Sequence, residues 1–164
     1  MRCFQVALII FILICTFYLT TIAQKSNEPF ALEGGISLGM QEFQKVWIGT
    51  FGFLLEFGNP SGLQLRFALN SGLFNKLVLT QIETLFLINF GNPDKKFYAG
   101  AGLGVPMIIG ELEGELPINV IVFGGVKSPI STILIAQIEG GIMIPTSGGD
   151  GITFRGALAG IFSF

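Results

Sequence analysis

Six ionisable residues punctuate stretches that are otherwise apolar or built of small side chains: Glu33, Glu56, Arg66, Glu83, Glu139 and Arg155. Carboxylates near guanidinium groups in such surroundings have three uses. They can form a structural ion-pair network, they can line a gated path for ions or protons, or two of them can share the acid and base roles of glycoside hydrolysis. Glu56 and Arg66 flank the 58–62 segment and are placed to face each other across a hairpin. Arg155 is placed to meet Glu139 or Glu33. Four acids against two bases leave an excess of negative charge, which a protonated Glu would relieve, because desolvation disfavours the charged form. Arg partners close to the Glu residues favour the network over hydrolysis, so no catalytic residue is expected.

Other candidates are weaker. Glu111, Glu113 and Glu115 alternate, so in an extended loop they point to one side. They suit a weak divalent-cation or lipopolysaccharide-bridging site, or simply an acidic tip that stays in water. Gly100, Gly102 and Gly104 resemble part of a nucleotide loop, but Val105 breaks the pattern and no helix follows. Alternate glycines on one strand face instead leave room for bulky neighbours such as Arg or Phe. The chain has no His, and its two cysteines are Cys3 and Cys15. Imidazole bases and most zinc or transition-metal sites are thereby removed, and no cofactor is expected.

These side chains need elements to hold them. Residues 1–23 read as a signal peptide: Arg2 supplies a short positive start, 6–22 an apolar core, and Thr21 and Ala23 the small residues of a cleavage site before Gln24. An uncleaved anchor helix is the other reading of this segment. Both cysteines lie within it, so residues 24–164 would form a single domain free of thiols. Without Arg2 the chain keeps 8 basic and 11 acidic residues and no basic run, which speaks against nucleic acid as a partner. Mean hydropathy is +0.70. Yet no apolar run after residue 23 reaches the ~20 residues of a helical span. The 77–90 stretch is broken by Gln81, Glu83 and Asn89, and the 131–145 stretch by Gln137 and Glu139.

Strands fit better. Tight turns are expected at 57–62 (Phe-Gly-Asn-Pro-Ser-Gly), at 90–96 (Phe-Gly-Asn-Pro-Asp-Lys-Lys) and at 127–130. Looser breaks fall at 41–44, 70–76, 106–117 and 145–151. Eight strands result, over 31–41, 46–57, 63–70, 78–90, 97–106, 117–126, 131–144 and 152–164, with tight turns at one end and looser loops at the other. Most match the ~9–11 residues of a tilted membrane-spanning strand.

Alternation then assigns the faces. Trp47, Phe51, Phe53, Leu55 and Phe57 share one face of the second strand, and Thr50 and Glu56 the other. In the third strand Leu63, Leu65, Phe67 and Leu69 oppose Gln64, Arg66 and Asn70. The last strand puts Phe154, Leu158, Phe162 and Phe164 on a face without polar side chains, opposite Arg155 and Ser163. If the greasy faces touch hydrocarbon, the charged ones must line a closed interior. Trp47, Tyr98 and some Phe residues are expected as interfacial girdles, and Lys95 and Lys96 as solvated charges beside a turn. Leu85, Leu87, Ile121, Phe123, Ile133 and Ile135 fall on the nominally inner faces, which requires either slipped registers or a partly dry interior.

The leader, the eight strands, the terminal Phe164 and the stretch Phe97-Tyr-Ala-Gly-Ala-Gly-Leu-Gly104 resemble the small OmpA/OmpX-type outer-membrane β-barrels. The resemblance implies an all-β, eight-stranded antiparallel up-and-down transmembrane barrel in the cell outer membrane. It also implies outer-membrane lipid as the surroundings, an assembly machinery that engages the C-terminal strand, and a monomer. Roles across that group run from structural support to adhesion and small-molecule passage. The expectation is a plugged, non-enzymatic barrel with a structural or surface-interaction role. A narrow channel for ions or small solutes and a secreted soluble barrel holding a lipophilic ligand are the alternatives.

Overall fold

The computed structural model describes residues 30–74, 77–92, 95–109, 117–146 and 151–163. The expected signal peptide, Glu111, Glu113, Glu115 and Phe164 lie outside them. The eight strands are β1 (Ala31–Phe43), β2 (Val46–Gly58), β3 (Leu63–Phe74), β4 (Leu77–Asn92), β5 (Lys95–Ile109), β6 (Asn119–Pro129), β7 (Leu134–Pro145) and β8 (Thr153–Ser163). Each pairs antiparallel with its sequence neighbour, and β8 returns to β1, so the sheet closes into a barrel with no free edge.

The register fixes the shape of that barrel. Following paired residues around it from Ala31 leads through Gly58, Gln64, Leu87, Gly100, Phe123, Gly141 and Arg155 to Gln41, ten residues further along β1. With ~3.3 Å per residue and ~4.8 Å between strands, this stagger tilts the strands by about 40° and gives a backbone cylinder about 16 Å across. Only side chains fit inside such a cylinder.

Three features differ from the sequence expectation. The breaks at 41–44 and 70–76 shrink to two-residue connections at 44–45 and 75–76. Gln44 and Lys45 both adopt positive φ, 48° and 63°, the left-handed pair that joins two right-twisting strands. The Asn70-Ser-Gly sequence looks like a turn but is strand: Asn70 donates to Glu83, Ser71 pairs with Thr80, and the Phe43 and Phe74 rings meet edge to face at 5.1 Å beyond them. The contrast between short turns at one end and long loops at the other is therefore weaker than expected. At the 127–130 turn, β6 continues to Pro129 and β7 starts only at Leu134, because the Ser131 hydroxyl accepts from the Ile133 and Leu134 amides. Ile133 thus leaves the inner face and is 60% exposed. The 57–62 turn forms as read: Gly58 takes φ 131°, and the Asn59 side chain accepts from the Ser61 amide at 2.8 Å.

Alternation holds in register all round, although Leu65 on the outward face of β3 and Thr80 on that of β4 are buried. Leu38, Phe51, Phe53, Phe154, Leu158 and Phe162 stand on the outer wall and are exposed. Phe67 is half-buried there, stacked on Phe57 at 5.6 Å. Leu85, Leu87, Tyr98, Ile121, Phe123 and Met143 pack inside as one cluster. Leu54, Ala68 and Ile161 form a second, with Ile135 against it. The registers of β4 and β6 are therefore not slipped, and part of the interior is a dry core.

Leu158, 60% exposed near the middle of β8, tests the outer wall. Leu158→Arg is expected to lower unfolding free energy in vesicles by about 2–4 kcal/mol, read from urea titration of Trp47 fluorescence.

Candidate functional site: the charged lumen

Glu33, Glu56, Arg66, Glu83, Glu139 and Arg155 all project inward, and each is at most 9% exposed. Antiparallel pairing sets Glu56 directly opposite Arg66. Arg66 Nε donates to Glu56 Oε1 at 2.7 Å, and its Nη1 donates across the lumen to Glu139 Oε2 at 2.5 Å. Arg155 Nη2 donates to the other oxygen of Glu139 at 2.7 Å, while its Nη1 pairs with Glu83. Arg155 does not reach Glu33, because the barrel stagger sets Arg155 opposite Gln41 and Glu33 opposite Ser163.

A third cation completes the set, at a position whose Lys-Ser-Pro sequence predicts a turn. Lys127 lies at the inner end of β6, 4% exposed, with Nζ paired to Glu56 Oε2. It also donates to Gln64 Oε1 at 3.1 Å and stands 3.7 Å from Glu33. The signal was present: Lys127 shares the face of Ile121, Phe123 and Gly125 once the strand is extended. The lumen thus holds three cations against the four acids, and the expected excess of acid is halved.

Tyr98 is the second correction. It is no interfacial ring: it is 2% exposed inside the barrel, and its hydroxyl donates to Glu139 Oε2 at 2.9 Å. It stands two places before Gly100 on the same inner face. The Arg66 guanidinium lies 5.3 Å from the Tyr98 ring centre and 5.1 Å from that of Phe123, a cation–π sandwich in a water-poor site. Glycine makes the space, since a Cβ on Gly100 would come within 2.7 Å of the Phe123 ring and one on Gly125 within 2.5 Å of the Tyr98 hydroxyl. Lys96 is corrected too: half-buried, it donates to the Pro60 carbonyl at 3.1 Å and helps line a mouth pocket of about 70 Å³ with Glu33 and Lys127. Lys95 remains exposed, 5.7 Å from the Phe97 ring.

Neutral amides extend the network at both ends. Asn89 donates to Gln64 at 2.8 Å, and Gln64 donates to Glu33 at 3.1 Å. Gln137 donates to Glu139 at 2.8 Å, and Asn70 and Gln81 donate to Glu83, each at 3.0 Å. One connected polar chain therefore runs along the barrel from Asn89 to Gln81. Each of Glu56, Glu83 and Glu139 holds at least one cation, an arrangement that fixes charge rather than freeing a carboxylate for proton transfer.

Neither the known protein-family models nor the curated proteins match this sequence. Solved structures do. The N-terminal β-barrel domain of OprF from Pseudomonas aeruginosa aligns with TM-score 0.61 at 14% identity, over 80% of this chain and 97% of that one. Neisserial surface protein A aligns with TM-score 0.61 at 13% identity, over 82% and 95%. Ail, the attachment invasion locus protein of Yersinia pestis, aligns with TM-score 0.53 at 8% identity, over 82% and 97%. The fold is that of the small OmpA/OmpX-type transmembrane barrels. In a transmembrane barrel the exposed Leu and Phe wall is the surface that meets lipid, and the charged residues occupy the one place shielded from it.

Arg66→Met leaves Glu56 and Glu139 short of their shared cation. It is expected to cost about 3–5 kcal/mol of unfolding free energy, whereas pairing it with Glu56→Gln should recover part of that loss. The double-mutant cycle in vesicles measures both.

Proposed function

We propose that the chain is an outer-membrane barrel whose lumen is plugged and whose role is structural or surface-interactive, without catalysis. The observation that carries the reading is the continuous packing of the lumen: paired charges around Arg66, and Leu85, Leu87, Ile121, Phe123 and Met143 beside them. A cylinder about 16 Å across filled in this way leaves no route for a solute and no cleft for a substrate. The names of two similar structures, a surface protein and an attachment protein, support a surface role. On this reading residues 1–23 are a leader, the face carrying Phe154, Leu158, Phe162 and Phe164 is what an assembly machinery engages, and the barrel works as a monomer. Glu111, Glu113 and Glu115 serve as a solvated acidic tip.

A narrow conduit is the second reading. It is favoured by the unbroken polar chain along the lumen and by Glu56 and Glu139, each shared between two cations, which gives a path that partner exchange would open. The soluble barrel with a greasy interior is not retained, because its charge would have to lie outside.

Two measurements decide. Heat-modifiable migration in detergent gels, together with recovery in the outer-membrane fraction, is expected for the whole reading; extraction into plain buffer would end it. In planar bilayers the plugged barrel is expected to show no steady conductance. Steady current that changes with Glu56→Gln or Arg155→Ala would establish the conduit instead.

A further inference from the structure

One part of the outer wall is not smooth. Near the Gln44–Lys45 end of the barrel, a depression of about 610 Å³ lies across β1 to β4, between Leu38, Phe51, Leu73 and Val78. It exists because the row of outward side chains on β2 skips a place. Trp47, Phe51, Phe53 and Leu55 project, and between the first two stands Gly49, where a Cβ would meet no atom within 4 Å. The depression also contains a polar feature that lipid-facing walls avoid. Ser71 belongs to its lining, and Ser71 Oγ lies 3.1 Å from Thr80 Oγ1, the residue opposite it in register. Two hydroxyls bring two hydrogens. One serves their mutual bond, and the other is left for a further acceptor. In hydrocarbon a hydroxyl donor without an acceptor is costly.

We propose that this groove seats one acyl chain of a bilayer glycerophospholipid, with the chain's ester carbonyl accepting from the Ser71–Thr80 hydroxyl pair. The inference rests on the reading of the outer wall as lipid-facing, and the groove is continuous with that wall through the exposed Leu38 and Phe51. Depth agrees with the chemistry. Trp47 stands at the strand end, where an indole prefers the headgroup level. Phe51, which pairs with Ser71, is four residues further down β2. At ~3.3 Å per residue and about 40° of tilt Phe51 is about 10 Å deeper, and Ser71, raised about 3 Å toward the strand end by the same tilt, about 7 Å deeper, where the interface gives way to hydrocarbon and ester groups are found. No Lys or Arg lines the groove, so the site selects the chain and its ester rather than a headgroup charge.

The test is lipid retention by native mass spectrometry after reconstitution in vesicles of dioleoyl phosphatidylcholine, or of its ether-linked analogue, and release in mild detergent. The wild-type barrel is expected to keep one ester lipid. Retention of the ether analogue should be about fivefold lower, the worth of one neutral hydrogen bond. Gly49→Leu fills the groove without backbone strain and should abolish retention. Ser71→Ala combined with Thr80→Val should hold both lipids equally weakly. Equal retention by wild type and Gly49→Leu, or no difference between ester and ether lipid, overturns the proposal. If Gly49→Leu fails to insert, the hydroxyl variant and the ester–ether comparison still decide. Failure of the wild-type barrel to insert at all would instead defeat the lipid-facing reading beneath it.

Discussion

Seven charged side chains are buried in one narrow cylinder, and they are tolerable there only because they satisfy one another. An unpaired carboxylate or guanidinium in such a place costs several kcal/mol. Arg66 therefore cannot be considered apart from Glu56 and Glu139, nor Arg155 apart from Glu139 and Glu83. The surrounding composition serves this requirement. Gln64, Asn70, Gln81, Asn89 and Gln137 occupy further hydrogen-bonding positions, and Tyr98 turns its hydroxyl to Glu139 rather than to the membrane surface. Gly100 on β5 and Gly141 on β7 leave room for Phe123, and Phe123 in turn supports Arg66 and Arg155 through its ring.

The outer wall follows from the same constraint. With the charged groups of the strand middles committed inward, the residues between them face outward without charge, as Leu38, Phe51, Phe53, Leu158 and Phe162 do. Sheet closure removes the remaining backbone liability, since β1 and β8 satisfy each other's edges. A stagger of ten residues over eight strands sets a width that side chains can fill. The same geometry thus brings the members of the ion-pair network within reach of one another across the barrel.

Much of this was legible in the sequence, because a period of two is a strong signal when one face is uniformly apolar. Strand number, order and facing could be read from Phe51-Gly-Phe-Leu-Leu-Glu56 and its counterparts. The pairing of Glu56 with Arg66 could be read from their distance to one turn. The rest is set by contacts between strands, which no local pattern carries. Asn70-Ser-Gly has turn composition, and pairing with Glu83 and Thr80 on the neighbouring β4 makes it a strand. Lys127 stands beside Ser-Pro, which is a turn signal, yet it completes the inner face of β6. Tyr98 has a residue type favoured at membrane interfaces, but its place is fixed by Glu139, 41 residues away. The missed partnership of Arg155 with Glu83 depends on the barrel stagger, which no local pattern reveals.

The central claim is that one face of every strand meets lipid while the other, with its charges, is enclosed. Cys3 and Cys15 are the chain's only cysteines and both precede residue 24, so single spin labels can be introduced along β2 of residues 24–164 and their collisions with oxygen and with a water-soluble nickel reagent compared in vesicles. Labels at 51, 53 and 55 should be reached by oxygen from the membrane, while those at 50, 52 and 54 should be shielded from it. The reverse alternation, with 51, 53 and 55 shielded and the Glu56 face open to lipid, would contradict the account.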